Sequence, residues 1–145
     1  MVAMPDYDPT NIFARILRGE LPSQRVYEDG ATVAFMDIMP RVDGHALVLP
    51  KAASRTFLDM SAEDIAATYA TVQRIARAAV SAFAAEGVTI QQFNESAGGQ
   101  VVFHTHVHVL PRHAGVPLRP HTGEMADPQT LAMHAERLRA ALAAA

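Results

Sequence analysis

Histidines at positions 104, 106 and 108 alternate with other residues in the run His104-Thr105-His106-Val107-His108-Val109-Leu110. Extended chain has a side-chain period of two, so a strand sends all three imidazoles to one face and Thr105, Val107 and Val109 to the other. Rings so placed lie roughly 7 Å apart along the strand. That is close enough for one ring to attack a substrate while its neighbours bind it or move protons. A helix would scatter the same residues around its circumference. Val101-Val102-Phe103 ahead of the run, and Val107, Val109 and Leu110 within it, are residues that strands favour.

Three imidazoles on one sheet face make a poor core, because each brings polar nitrogens that need partners. Two chemistries account for them better. Zinc takes imidazole ligands, but at about 2.0–2.1 Å per bond the outer rings of a straight triplet do not easily converge with the middle one. A neutral imidazole is also a good nucleophile, with a reference pKa of about 6.5. Attack on phosphorus would give a labile nucleotidyl- or phosphoryl-histidine that water then cleaves. His113, His121 and His134 each stand alone and are read as structural or merely exposed.

The elements that must position these residues follow from the pattern. Thr10 is expected to cap a short helix over 10–18 that Gly19 stops, with Ile12, Phe13, Ile16 and Leu17 as its apolar side. Residues 25–28 and 31–37 read as two strands, joined by a type I′ turn at Asp29-Gly30. A third strand covers 45–49 and is ended by Pro50. Ser61-Ala62-Glu63-Asp64 resembles a capping box and opens a long helix ended by Gly87. Its buried face is predicted to be Ile65, Tyr69, Val72, Ile75, Ala79 and Phe83. A fourth strand over 88–94, a turn over 95–99 and the histidine strand follow. Asp127-Pro128 starts a last helix with Leu131, His134, Leu138 and Leu142 on one face. The order predicts an α+β fold with a mainly antiparallel five-stranded sheet.

The 145 residues suit a single domain, and half of them are hydrophobic. A formal net charge of -3 argues against nucleic acid as a partner. There is no cysteine, which excludes disulfides and thiolate–zinc sites and favours a cytoplasmic protein. Residues 1–9 are acidic and contain proline, unlike a signal peptide. No apolar run approaches the roughly 18 residues that span a bilayer, so no membrane partner is expected.

Gln100-Val101-Val102-Phe103-His104-Thr105-His106-Val107-His108-Val109-Leu110-Pro111-Arg112 resembles the signature of the histidine triad (HIT) superfamily of nucleotide hydrolases and transferases. Three ordered upstream blocks agree with it. Asn11-Ile12-Phe13-Ala14-Arg15-Ile16-Leu17-Arg18-Gly19-Glu20-Leu21-Pro22 is similar to the family's first helix and loop. Phe35-Met36-Asp37-Ile38 and Gly44-His45-Ala46-Leu47-Val48-Leu49-Pro50-Lys51 are similar to its central hairpin and third strand. The likeness is nearest to the bacterial histidine triad nucleotide-binding branch. It covers a core of about residues 10–113, with 114–145 as a C-terminal extension of one HIT domain.

The resemblance implies a role for each residue. His106 holds the nucleophile's place and would attack the α-phosphorus of a purine nucleotide. His108 would donate to the phosphate or leaving group, and His104 and His45 would orient the rings and pass protons. Gln100 and Asn94 match positions that contact phosphate or support the active-site loop. Gly98 and Gly99 would let backbone approach the phosphate. Asp37 would accept hydrogen bonds from both ribose hydroxyls. Ile12, Phe13, Ile16, Leu21, Phe35 and Ile38 would wall the base pocket. The implied activity is hydrolysis of purine nucleoside phosphoramidates or related monophosphate derivatives, without a cofactor, in a homodimer packed through the long helix and a strand. The alternatives are a dinucleoside polyphosphate hydrolase, or a nucleotide-binding interaction module with little catalysis. Many bacterial relatives hold a structural zinc with a Cys-x-x-Cys pair and a histidine. Asn11, Ala14 and Ala53 stand at those places, so no metal is expected. Val101 replaces a frequent Ser or Thr beside the leaving group.

Overall fold

The computed structural model describes residues 3–120 and 123–145. Among them the chain order is α1 (Ile12–Leu17), β1 (Arg25–Glu28), β2 (Thr32–Met36), β3 (Ala46–Pro50), α2 (Ala62–Ala82), β4 (Gly87–Gln92), β5 (Val107–Arg112) and α3 (Pro128–Ala144). Single 3₁₀ turns lie at Phe57–Asp59 and Ser96–Gly98. The strands form one sheet in the order β1-β2-β3-β5-β4, with every neighbouring pair antiparallel. The α+β class and the five-stranded antiparallel sheet are as the sequence predicts.

The two faces of the sheet carry different cargo. Ala34, Met36, Ala46, Val48, Val107 and Val109 pack on Val72, Ile75 and Ala79 of α2 and on Leu131, Ala135 and Leu138 of α3. The alternate residues Val33, Phe35, Leu47 and Leu49 pack with Phe13 and Ile16 of α1. Strand period two explains the division. Leu47 pairs with His108 across β3 and β5, so His108 lies on the α1 face. With both faces covered, β2 and β3 are buried along their whole length.

Several local expectations are corrected. The cap of α1 is Asn11, whose carboxamide accepts from the Ala14 N–H, while Thr10 bonds Asp8 instead. The helix does stop at Gly19, which takes φ +78°. The connection after β1 is not a type I′ turn, because neither Asp29 nor Gly30 has positive φ. The Asp29 carboxylate accepts from the Ala31 and Thr32 N–H groups and closes the loop by itself. Ser61 caps α2 by accepting from the Asp64 N–H. That helix buries Thr68 and Thr71 where Tyr69 and Ile65 were expected to be core. The Thr71 hydroxyl bonds that of Thr32 at 2.7 Å, which satisfies both buried groups. In α3 the buried residues are Leu131, Ala135 and Leu138; Leu142 is partly buried against the same core, whereas His134 packs on the Phe83 ring. The ladder of β4 ends at Gln92, two residues short of the expected end, and α2 ends at Ala82.

The correction that bears most on function is at the histidines. The strand begins at Val107, so only His108 of the three is in the sheet. His104 and His106 belong to the approach. There the Thr105 N–H bonds the Ser54 carbonyl at 2.8 Å rather than a ladder partner.

Candidate active site

The irregular approach to β5 fixes which ring nitrogen carries each proton. A backbone carbonyl only accepts, so a ring nitrogen facing one holds its hydrogen. His106 Nδ1 lies 2.7 Å from the His104 carbonyl oxygen and donates to it, which places the lone pair on Nε2. His45 sits just ahead of β3, where its Nδ1 accepts from the Arg41 N–H at 3.1 Å. Its proton is therefore on Nε2, which donates to His108 Nδ1 at 2.9 Å. His108 in turn keeps its hydrogen on Nε2. Asp37 Oδ2 lies 3.5 Å from the same His45 nitrogen.

His104 stands apart from this chain. Its Nε2 donates to the Pro50 carbonyl at 2.8 Å, and its Nδ1 faces the Tyr7 hydroxyl at 2.7 Å. Burial pushes its pKa down, so it stays neutral. Both ring nitrogens are thus engaged by Pro50 and Tyr7, and the ring lies outside the cavity lining. What His104 contributes to His106 is its carbonyl.

These rings line a cavity of about 510 Å³. Aromatic rings run along it in a row. Phe35 lies 5.6 Å from Phe13, Phe13 4.8 Å from His106, His106 5.1 Å from His108, and His108 5.6 Å from Phe93. Ile12, Phe13, Ile16, Leu21, Phe35 and Ile38 all line the cavity, as do Asp37, His45, His106, His108 and Gly99. His104, Asn94 and Gln100 do not reach it. Asn94 accepts from the Phe57 N–H and pairs with Gln92. Gln100 accepts from the Glu95 N–H and donates to the Arg55 and Val102 carbonyls. Both hold the loop over 93–100 in place, the supporting half of the role expected of them. His113 bonds the Phe83 carbonyl and His134 packs on the Phe83 ring, both away from the cavity, and His121 lies outside the described residues.

A family model described as the HIT domain matches residues 18–115. The chain belongs to the HIT family. A HIT-like protein from Bartonella henselae, whose crystal structure contains an unknown ligand, is similar at 46% identity and TM-score 0.88, with 94% of this chain and 99% of that one covered. A hypothetical histidine triad nucleotide-binding protein from Sulfolobus tokodaii superposes with TM-score 0.84 at 25% identity over 91% of each chain. An adenylylsulfatase of Arabidopsis thaliana is 36% identical over 101 residues, which are 70% of this chain and 51% of that one. The family thus includes nucleotide-binding proteins and a hydrolase.

In this HIT protein Asp37, His45 and His108 offer ligand atoms within 4.8 Å of one another. The set does not suit a metal ion. A metal on His45 Nε2 would force the proton to Nδ1, where it would face the Arg41 N–H across 3.1 Å. The same atoms suit proton transfer from His45 to His108.

Some participants were not legible in the sequence. Arg41 aims His45, and Tyr7 holds His104. Met125, from the C-terminal extension, reaches the cavity because the Ala126 N–H bonds the Ile38 carbonyl. Arg55 and Glu95 form a two-pronged ion pair at 2.9 and 3.0 Å, which holds the Glu95 carboxyl below its usual range. Glu95 adopts φ 63°, ψ 165°, a conformation that suits glycine. Gly98 and Gly99 hinted at an unusual loop, but only a contact across 40 positions shows what secures it.

Proposed function

We propose that this HIT protein hydrolyses nucleoside monophosphate derivatives at the α-phosphorus through a nucleotidyl-His106 intermediate, with purine nucleoside phosphoramidates as its substrate class. The observation that carries the reading is the complementary protonation of two neighbouring rings. His106 presents a lone pair at Nε2, and His108 beside it holds a proton at Nε2. A nucleophile next to an acid is what displacement of an amine from phosphorus requires.

In the first half-reaction the Nε2–P bond forms as the P–N bond breaks. The departing nitrogen keeps the bonding pair and takes a proton from His108, leaving as a neutral amine. The positive charge that His106 gains on bonding phosphorus offsets the proton given up by His108. Water then forms the P–O bond, the Nε2–P bond breaks, and the water's proton returns to His108. Asp37 is the acceptor for the ribose diol, and its Oδ1 is oriented by the Met39 N–H at 2.8 Å. The apolar end around Phe13, Ile16 and Phe35 takes the base without selecting strongly between purines.

The adenylylsulfatase relative favours a second reading, in which the same half-reaction expels sulfate from an adenylyl sulfate. The reading also includes a homodimer.

The test is adduct capture. Rapid quenching with an adenosine phosphoramidate is expected to show an adenylyl mass on the peptide bearing His106. His106→Ala is expected to fold and to lose turnover by at least about 10³-fold. Normal hydrolysis by that variant would end the proposal.

A further inference from the structure

Resting on that reading, we infer that the leaving-group end of the cavity is an apolar subsite for an uncharged, apolar amine, with Phe93 and Val101 as its specificity-determining residues. The group that takes a proton from His108 must lie beside His108. The ring on that side, opposite the base end at Phe13, is Phe93, edge-on to His108 at 5.6 Å. Phe93 is pressed against Gly99, where an added Cβ would come within 3.3 Å of its ring, so the ring has a fixed seat. Val101 completes this end. It lines the cavity yet is 66% exposed, an apolar side chain left open to whatever the cavity holds.

Charge points the same way. Among the described residues the cavity lining carries charged side chains only at Asp37 and Arg41. Asp37 sits at His45, and the Arg41 Nε is spent on the Arg119 carbonyl at 2.9 Å. Nearby Arg55 and Glu95 neutralise each other and lie outside the lining. A sulfate, a second nucleotide's phosphates or a carboxylate-bearing amine would bring negative charge to an end walled by a phenyl ring and an isopropyl group. An apolar amine would bury its own surface there. This separates the phosphoramidate reading from the adenylyl sulfate and dinucleoside polyphosphate ones by the leaving group alone.

The test compares two adenosine 5′-phosphoramidates whose amines have similar basicity, phenethylamine and β-alanine. Equal basicity removes the chemical step as a source of preference. The unaltered protein is expected to favour the phenethyl amide in kcat/KM by at least about tenfold. Val101→Lys is expected to raise turnover of the β-alanyl amide several-fold and narrow the ratio. Val101→Ser is expected to narrow it by slowing the phenethyl amide, and it serves if the lysine variant does not fold. Hydrolysis of both amides at a ratio near one overturns the subsite while leaving the proposed function standing. So does a ratio that neither variant moves. Failure of the folded protein to hydrolyse either amide overturns the proposed function and the subsite with it.

Discussion

At the scale of single residues, the site depends on where protons sit. The three triad rings have three different jobs because each meets different hydrogen-bond partners. His106 meets the His104 carbonyl, His108 meets His45, and His104 meets Pro50 and Tyr7. His104 makes its own prediction. Burial lowers its folded pKa, so the unfolded chain takes up a proton first as the pH falls. Its contribution to stability is fully present above about pH 6.5 and is lost as the pH drops toward the folded pKa. Urea unfolding between pH 5 and 8 is expected to show stability falling on the acid side. His104→Asn is expected to flatten that slope, and an unchanged slope would show that other groups cause it.

At the scale of elements, the loop over 93–100 is held in a strained conformation. Glu95 at φ 63°, ψ 165° stores strain of about 1–3 kcal/mol in its backbone. Arg55 holds the residue there, with its guanidinium also stacked 4.1 Å over the Phe103 ring. Gln100 ties the two ends of the loop together. Glu95→Gly removes the strain and the ion pair at once. Because solvent screens a partly exposed pair, thermal stability is expected to hold or rise. Turnover is expected to fall, since Phe93 and Gly99 ride on the same loop. A variant that melts higher and reacts at full rate would show the latch to be irrelevant to catalysis.

At the scale of the whole molecule, one edge of the sheet is unfinished. β4 is the outer strand, and its Ile90 pairs with Val109, which places Ile90 on the face covered by α2 and α3. Yet Val88 and Ile90 remain 38% and 40% exposed, and Tyr69 on α2 is exposed as well. An apolar edge of this kind favours pairing with a second copy. Light scattering is expected to give a dimer, and Ile90→Lys is expected to shift it to monomer. A monomeric unaltered protein would contradict that arrangement. Among the described residues no helix is long and apolar enough to cross a membrane.

The sequence alone determined what depends on neighbours in the chain. Spacing by three and four marked Val72, Ile75 and Ala79 as buried, and the strand-forming runs marked the segments that carry β1, β2 and β3. The motif blocks brought Asp37, His45 and His106 to notice together. Only the tertiary structure decided what depends on distant partners. The first triad histidine left the cavity because a carbonyl 54 positions away claims its Nε2. The Asp29 turn took a shape set by a side-chain acceptor rather than by left-handed backbone. A proton on an imidazole goes to whichever nitrogen faces the stronger acceptor. Which group a nitrogen faces depends on how the backbone turns around the ring and, for His104 and His108, on partners 54 and 63 positions away, so no one-dimensional pattern could assign it.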